Sequence, residues 1–90
     1  MTNEQRILAI RHRLEAGLNP AHLQIVDESA AHRGHSGAQS GAGHFAVTIT
    51  SAAFNDLTPV AQHRLIYNLV DDLMGSEIHA LRINAKGILP

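Results

Sequence analysis

Ninety residues, 44% of them hydrophobic, suffice for one modest core and fall short of two. A formal charge of −1 gives no overall attraction to phosphate, and two Phe, one Tyr and no Trp leave few platforms for stacking bases. The absence of cysteine excludes a disulfide, a thiol nucleophile and any thiolate metal site made by this chain alone.

Thr2 and Gln5 have the spacing of a capping box, so a helix is expected from there. Ile7, Ile10 and Leu14 recur on one face, with Leu8 widening the stripe. Arg6, Arg11, His12 and Arg13 read as a solvated helix face or, alternatively, as a phosphate-contacting patch. Gly17 is placed to end the helix, reinforced by Asn19-Pro20. Charges are scattered through this first segment and no run approaches the roughly 18 apolar residues of a membrane span, so a soluble, cytoplasmic protein without a secretory signal is expected.

Leu23 to Ser29 reads as a short strand with Leu23 and Ile25 on one face. Ala30 to Gly43, with four glycines, two serines and no large aliphatic residue, reads as a long mobile loop. His44 to Ser51 alternates, placing Phe45, Val47 and Ile49 inward and His44, Ala46, Thr48 and Thr50 outward. With no crossover helix between them, these two strands should pair antiparallel.

Thr58-Pro59 starts a second helix, with Ile66, Leu69, Val70 and Leu73 as its apolar stripe and Gly75 as its stop. Asp71 and Asp72 oppose the helix dipole there, and the sequence offers no reason for it. From Ile78 a third strand puts His79, Leu81, Ile83 and Ala85 on one face and Ile78, Ala80, Arg82 and Asn84 on the other. A right-handed crossover makes this strand parallel to the second. The expected fold class is α+β: one two-layer domain over 1–90, α-β-β-α-β, with a three-stranded mixed sheet and both helices on one face.

Histidine is over-used, with seven residues matching seven Lys plus Arg. His79, in line with an apolar row, is either a partly buried histidine satisfied by its surroundings or a ligand. His32 and His35 sit in the glycine-rich loop, which the topology brings to the same end of the sheet as His79. A loop histidine and His79 would form half a metal site, with positions open to another molecule. Neutral imidazole suits zinc, copper and iron, and two such ligands on one iron of a [2Fe-2S] centre are known chemistry. Thiolates would have to come from a partner.

Gly34-His35-Ser36-Gly37 is formally a G-x-x-G phosphate clamp, but it lies between strands rather than between helices. His63, Arg64, Arg82 and Lys86 offer a nucleic-acid or partner surface, or else their stems cover apolar edges with the charges in water. No nucleophile-base-acid set, paired carboxylate or phosphate loop stands out, so no enzymatic activity is expected.

Asp27-Glu28-Ser29 before a histidine-bearing loop, Gly43-His44-Phe45, Ser51 to Phe54, His63-Arg64 with Tyr67, and Ile78-His79-Ala80-Leu81 occur in an order that resembles the BolA family over nearly the whole chain. The resemblance implies a domain related to class II KH folds and a heterodimer with a monothiol glutaredoxin sharing a [2Fe-2S] cluster. The glutaredoxin would bring its active-site cysteine and a glutathione. The BolA side would bring the histidine matching His79 and a loop ligand, His32 or His35. On its own the chain is expected to be a monomer or weak dimer. Bacterial members have also been regarded as DNA-binding transcriptional regulators of cell shape and stress response, using the second helix and last strand. Gln62, where many members carry arginine, and acidic Glu77 weaken that surface here.

Overall fold

In the computed structural model, residues 1–32 and 41–88 are described. Thr2 caps the first helix, α1 (Asn3–Leu18): its hydroxyl accepts from the Gln5 N–H at 3.1 Å, and the Gln5 side chain accepts from the Thr2 N–H at 2.8 Å. The strand β1 (His22–Asp27) follows, then a 3-10 turn at Ser29–His32 and β2 (Gly43–Thr50). A 3-10 turn at Ala52–Phe54 leads to α2 (Pro59–Leu69), and another at Asp71–Leu73 precedes β3 (Ile78–Lys86). The turn at Ser29–His32 and the place of Gly43 inside β2 both shorten the expected loop to 33–42, of which 33–40 lie outside the described residues.

β2 is the central strand. It pairs antiparallel with β1, Leu23 opposite Ile49 and Ile25 opposite Val47, and parallel with β3, Phe45 opposite Leu81 and Val47 opposite Ile83. Phe45, Val47 and Ile49 are buried on one face of it, where they meet Ile10, Leu14 and Leu18 of α1 and Ile66 of α2 in a single core. The expected α+β architecture is therefore the observed one.

Gly17 does not end α1. The helix runs on to Leu18 and closes at Asn19, whose φ of 44° is left-handed and whose N–H donates to the Glu15 carbonyl. Asn tolerates that conformation nearly as well as Gly, which is why the local signal points to the wrong residue as the stop. Gly17 serves a close approach instead: a Cβ there would stand 2.6 Å from Cδ1 of Leu69, so its absence lets the two helices come together. Just beyond, the buried Ser51 hydroxyl donates to the Leu18 carbonyl and fastens the end of α1 to the end of β2.

α2 begins as expected, with the Thr58 hydroxyl accepting from the Ala61 N–H and Pro59 in the first turn. It ends at Leu69, short of its apolar stripe, and the tighter turn at Asp71–Leu73 carries the stripe onward so that Val70 and Leu73 still reach the core. Asp72 finds its reason in Arg13, while nothing in the structure explains Asp71. The Arg13 guanidinium donates to the Leu69 carbonyl at 3.1 Å and makes a paired contact with the Asp72 carboxylate, 2.8 Å on the Nη2 to Oδ2 side. Arg13 thus puts a cation at the carbonyl end of α2, where the dipole favours one, and Asp72 holds it there. Arg13 is a strut between helices rather than a solvated charge.

Hydrogen bonding from Arg13 holds the Asp72 carboxyl below the usual carboxylate range. The native state then takes up this proton later than the unfolded chain as pH falls. Its contribution to stability is present above the unfolded pKa and is lost as pH drops through the lowered native value. Asp72→Asn should accordingly lose less stability than the unaltered protein between neutral pH and about pH 2, read from urea midpoints at each pH.

Candidate histidine site at the entrance of the last strand

Strict alternation would put His79 on the core face with Leu81, Ile83 and Ala85. The structure does not. Gly43 is opposite Ile78, but the next residue, His44, is opposite Ala80, so the register shifts by one and His79 is left over as the extra residue of a bulge. Ile78 is consequently fully buried and His79 exposed, the reverse of the faces that alternation assigns them. The reading of His79 as a partly buried histidine is overturned by that one-residue shift.

His44 departs in the opposite sense. Expected to point outward, it is only 5% exposed, and its ring lies 5.0 Å from that of His79, centroid to centroid, tilted by 50°. Its backbone is fixed on both sides. The His44 N–H donates to the Ser29 hydroxyl at 3.1 Å, and its carbonyl accepts from the Glu28 N–H at 2.7 Å. Ser29 in turn accepts from the Asn3 amide of α1 at 3.2 Å, and its own N–H donates to Asp27 at 2.8 Å. Burial raises the Asp27 pKa, but bonds from the Ser29 side chain and backbone and from Asn3, with the charge of Arg6, outweigh it and hold the carboxyl below its ordinary value.

A cleft of about 230 Å³ opens here between α1, the turn after β1 and the start of β2, walled in part by Asn3, Arg6, Ser29 and His44. Arg6 is not a solvated charge either: its side chain is 12% exposed and its Nε donates to Glu77 at 3.0 Å. A larger cleft of about 430 Å³, lined by Phe54, Asn55, Leu57, Gln62 and Ile88, lies at the other end of β3, away from His44 and His79. Of the side chains lining that cleft, only Asp56 belongs to the usual metal-ligating types.

His32 closes the 3-10 turn that Ser29 begins, and Ser29 touches His44, so the chain at His32 is at the same end of the sheet as His79. His35 and the G-x-x-G at 34–37 lie outside the described residues. The described residues contain no group of three or more His, Cys, Asp or Glu able to hold a metal. Two imidazoles leave any such site open for ligands from elsewhere.

The four basic candidates do not form one patch. His63 and Arg64 are on α2, which packs on the core face of the sheet. Arg82 and Lys86 occupy the exposed even positions of β3, on the opposite face. Arg82 is moreover engaged by Glu28, at 2.6 Å from Nη2 to Oε2.

Residues 14–88 match the family described as BolA-like protein. The chain belongs to the BolA family. This BolA domain is 42% identical over 86 residues to SufE-like protein 1, chloroplastic/mitochondrial, of Arabidopsis thaliana, a match covering 90% of this chain and 23% of that protein. It is 36% identical over 78 residues to BolA-like protein 1 of Homo sapiens, covering 87% and 55%. Over 75 residues it is 37% identical to the DNA-binding transcriptional regulator BolA of Vibrio cholerae, covering 83% and 68%. The solved BolA domain of SufE1 from Arabidopsis thaliana superposes with a TM-score of 0.80 at 42% identity, covering 91% of each chain. The chain thus spans about a quarter of one curated relative and a little over half of another. Among the described residues no helix is long and apolar enough to cross a membrane.

Gly43, at the bulge, has no room for a side chain. A Cβ would lie 2.5 Å from the buried Phe45 ring and 3.0 Å from the Asn3 side-chain oxygen. Gly43→Ala should cost about 1 to 3 kcal/mol by overpacking, measured by urea unfolding.

Proposed function

We propose that this BolA domain is a non-enzymatic adaptor in iron-sulfur cluster assembly, trafficking or iron regulation, acting in a cytoplasmic heterodimer with a monothiol glutaredoxin. The observation that carries the reading is an exposed imidazole, His79, lifted out of the sheet by the bulge on a chain that has no cysteine. A side chain displaced from the core in this way touches the His44 ring but stays open to solvent, where it can ligate a partner's metal. Neutral imidazole fits one iron of a [2Fe-2S] centre, whose remaining ligands are thiolates. In this proposal the glutaredoxin's cysteine and a glutathione supply the thiolates, while His79 and one loop histidine, His32 or His35, supply the nitrogens. The chain alone then holds no cluster and remains a monomer or weak dimer.

The rival reading, a DNA-binding regulator of cell morphology and stress response, draws on the name of the Vibrio cholerae relative. The division of His63 and Arg64 from Arg82 and Lys86 across the two faces of the sheet, and the pairing of Arg82 with Glu28, weigh against it. A phosphate-tracking surface needs its cations on one side.

The deciding experiment is visible absorption and circular dichroism of the glutaredoxin complex, with melting curves of the isolated chain. Because His79 is exposed, His79→Gln should change stability by less than about 0.5 kcal/mol and abolish cluster sharing. His32→Ala and His35→Ala should each alter the spectrum, and only the double variant should approach the His79 defect. A folded His79→Gln protein with an unchanged shared cluster would overturn the proposal. Tight binding to duplex DNA with a steep salt dependence, and none to a cluster-loaded glutaredoxin, would favour the rival.

A further inference from the structure

A bulge is a register choice. Were β3 to slide by one residue at its entrance, Ile78 would turn outward and His79 would turn into the core. Something must hold the entrance in the observed register, and three elements converge on the residue just before it. The Glu77 N–H donates to the Leu73 carbonyl at 2.9 Å, in the turn after α2. The Glu77 carbonyl accepts from the Gly43 N–H at 3.0 Å, at the start of β2 and at the bulge itself. Its carboxylate accepts from Arg6 Nε of α1 at 3.0 Å, with the Met1 amine 3.7 Å from the same oxygen.

Arg6 is itself aimed. Its Nη1 donates to the Asn3 side chain at 2.8 Å, and Asn3 reaches on to Ser29, which carries the His44 N–H. The chain of hydrogen bonds therefore runs from Glu77 through Arg6, Asn3 and Ser29 to His44, and its two ends are the backbone segments bearing the paired rings. Any residue but proline at position 77 would keep the backbone bonds. The carboxylate adds the link to α1. A partly exposed ion pair contributes little to global stability, so its effect should be read in geometry.

We infer that Glu77, with Arg6 as its counter-ion, is a positioning residue that holds the β3 entrance in the register presenting the His79 imidazole beside His44. This rests on the reading of His79 as a ligand only for its functional consequence; the geometric claim concerns the isolated chain.

The test has one arm for each. In the isolated chain, Glu77→Gln and Arg6→Gln should weaken the proton-proton Overhauser effect between the His44 and His79 rings, while Arg6→Lys should retain it. In the glutaredoxin complex the same two variants should retain the shared cluster less well, by on the order of tenfold, as for other groups that orient metal ligands. If Glu77→Gln does not fold, Arg6→Gln carries the test. The unaltered protein gives a further reading, since the Gly43 amide should exchange as slowly as core amides. Folded variants with an undiminished Overhauser effect, or a Gly43 amide that exchanges like a chain end, would overturn the inference. Separation of the two rings in the variants, with no cluster shared even by the unaltered chain, would uphold the positioning role and sink the iron-sulfur reading.

Discussion

Ile78 and Leu81 both belong to the core, and they are three residues apart. In a regular strand that spacing puts them on opposite faces, so one of the two large side chains would be left in water. The register shift between Gly43 and His44 resolves the conflict by inserting one residue between them in the pairing. Burying an isoleucine is worth about 1.5 to 3 kcal/mol, more than the ladder hydrogen bond that a bulge disrupts. His79 is the residue left over. Its exposure is thus a by-product of core packing, which favours the same register that the Glu77 contact with Arg6 supports.

Much of the architecture can be read from periodicity and caps. Thr2 with Gln5, and Thr58 with Pro59, mark helix starts whose chemistry is local, and the structure keeps both. The alternation of Phe45, Val47 and Ile49 finds the central strand and its core face. What sequence cannot show are features decided by residues far apart in the chain. Arg13 and Asp72 are 59 positions apart, so Asp72 looks misplaced until Arg13 of α1 is seen to reach it. Gly17 reads as a stop by local rules, although a leucine on another helix is what requires it.

The candidate site is legible in part and for a mixed reason. His79 stands out in the sequence, but through an alternation that assigns it the wrong face. The family motif around Gly43, His44 and Phe45 contains the missing signal: a glycine immediately before a histidine is where a strand can break register, and an isolated glycine in a strand pattern often marks a bulge. For His44, an even position in β2 implies exposure, whereas the turn at Ser29–His32 held against the strand and the His79 ring beside it accompany its burial. Arg6 likewise reads as a surface charge, since nothing local predicts a partner 71 residues away.

The ends of the described chain leave the domain at different places. Met1 lies against Glu77 and so beside the histidines, whereas the Ile88 N–H is held by the Asn55 side chain at the far end of β3. A polypeptide joined ahead of Met1 would convert its charged amine to a neutral amide and emerge beside Glu77, at the end of β3 where His79 stands. One joined after residue 88 would leave from the opposite pole. For this fold, fusion at the carboxyl end keeps the histidine face clear, and fusion at the amino end is a way to obstruct it deliberately.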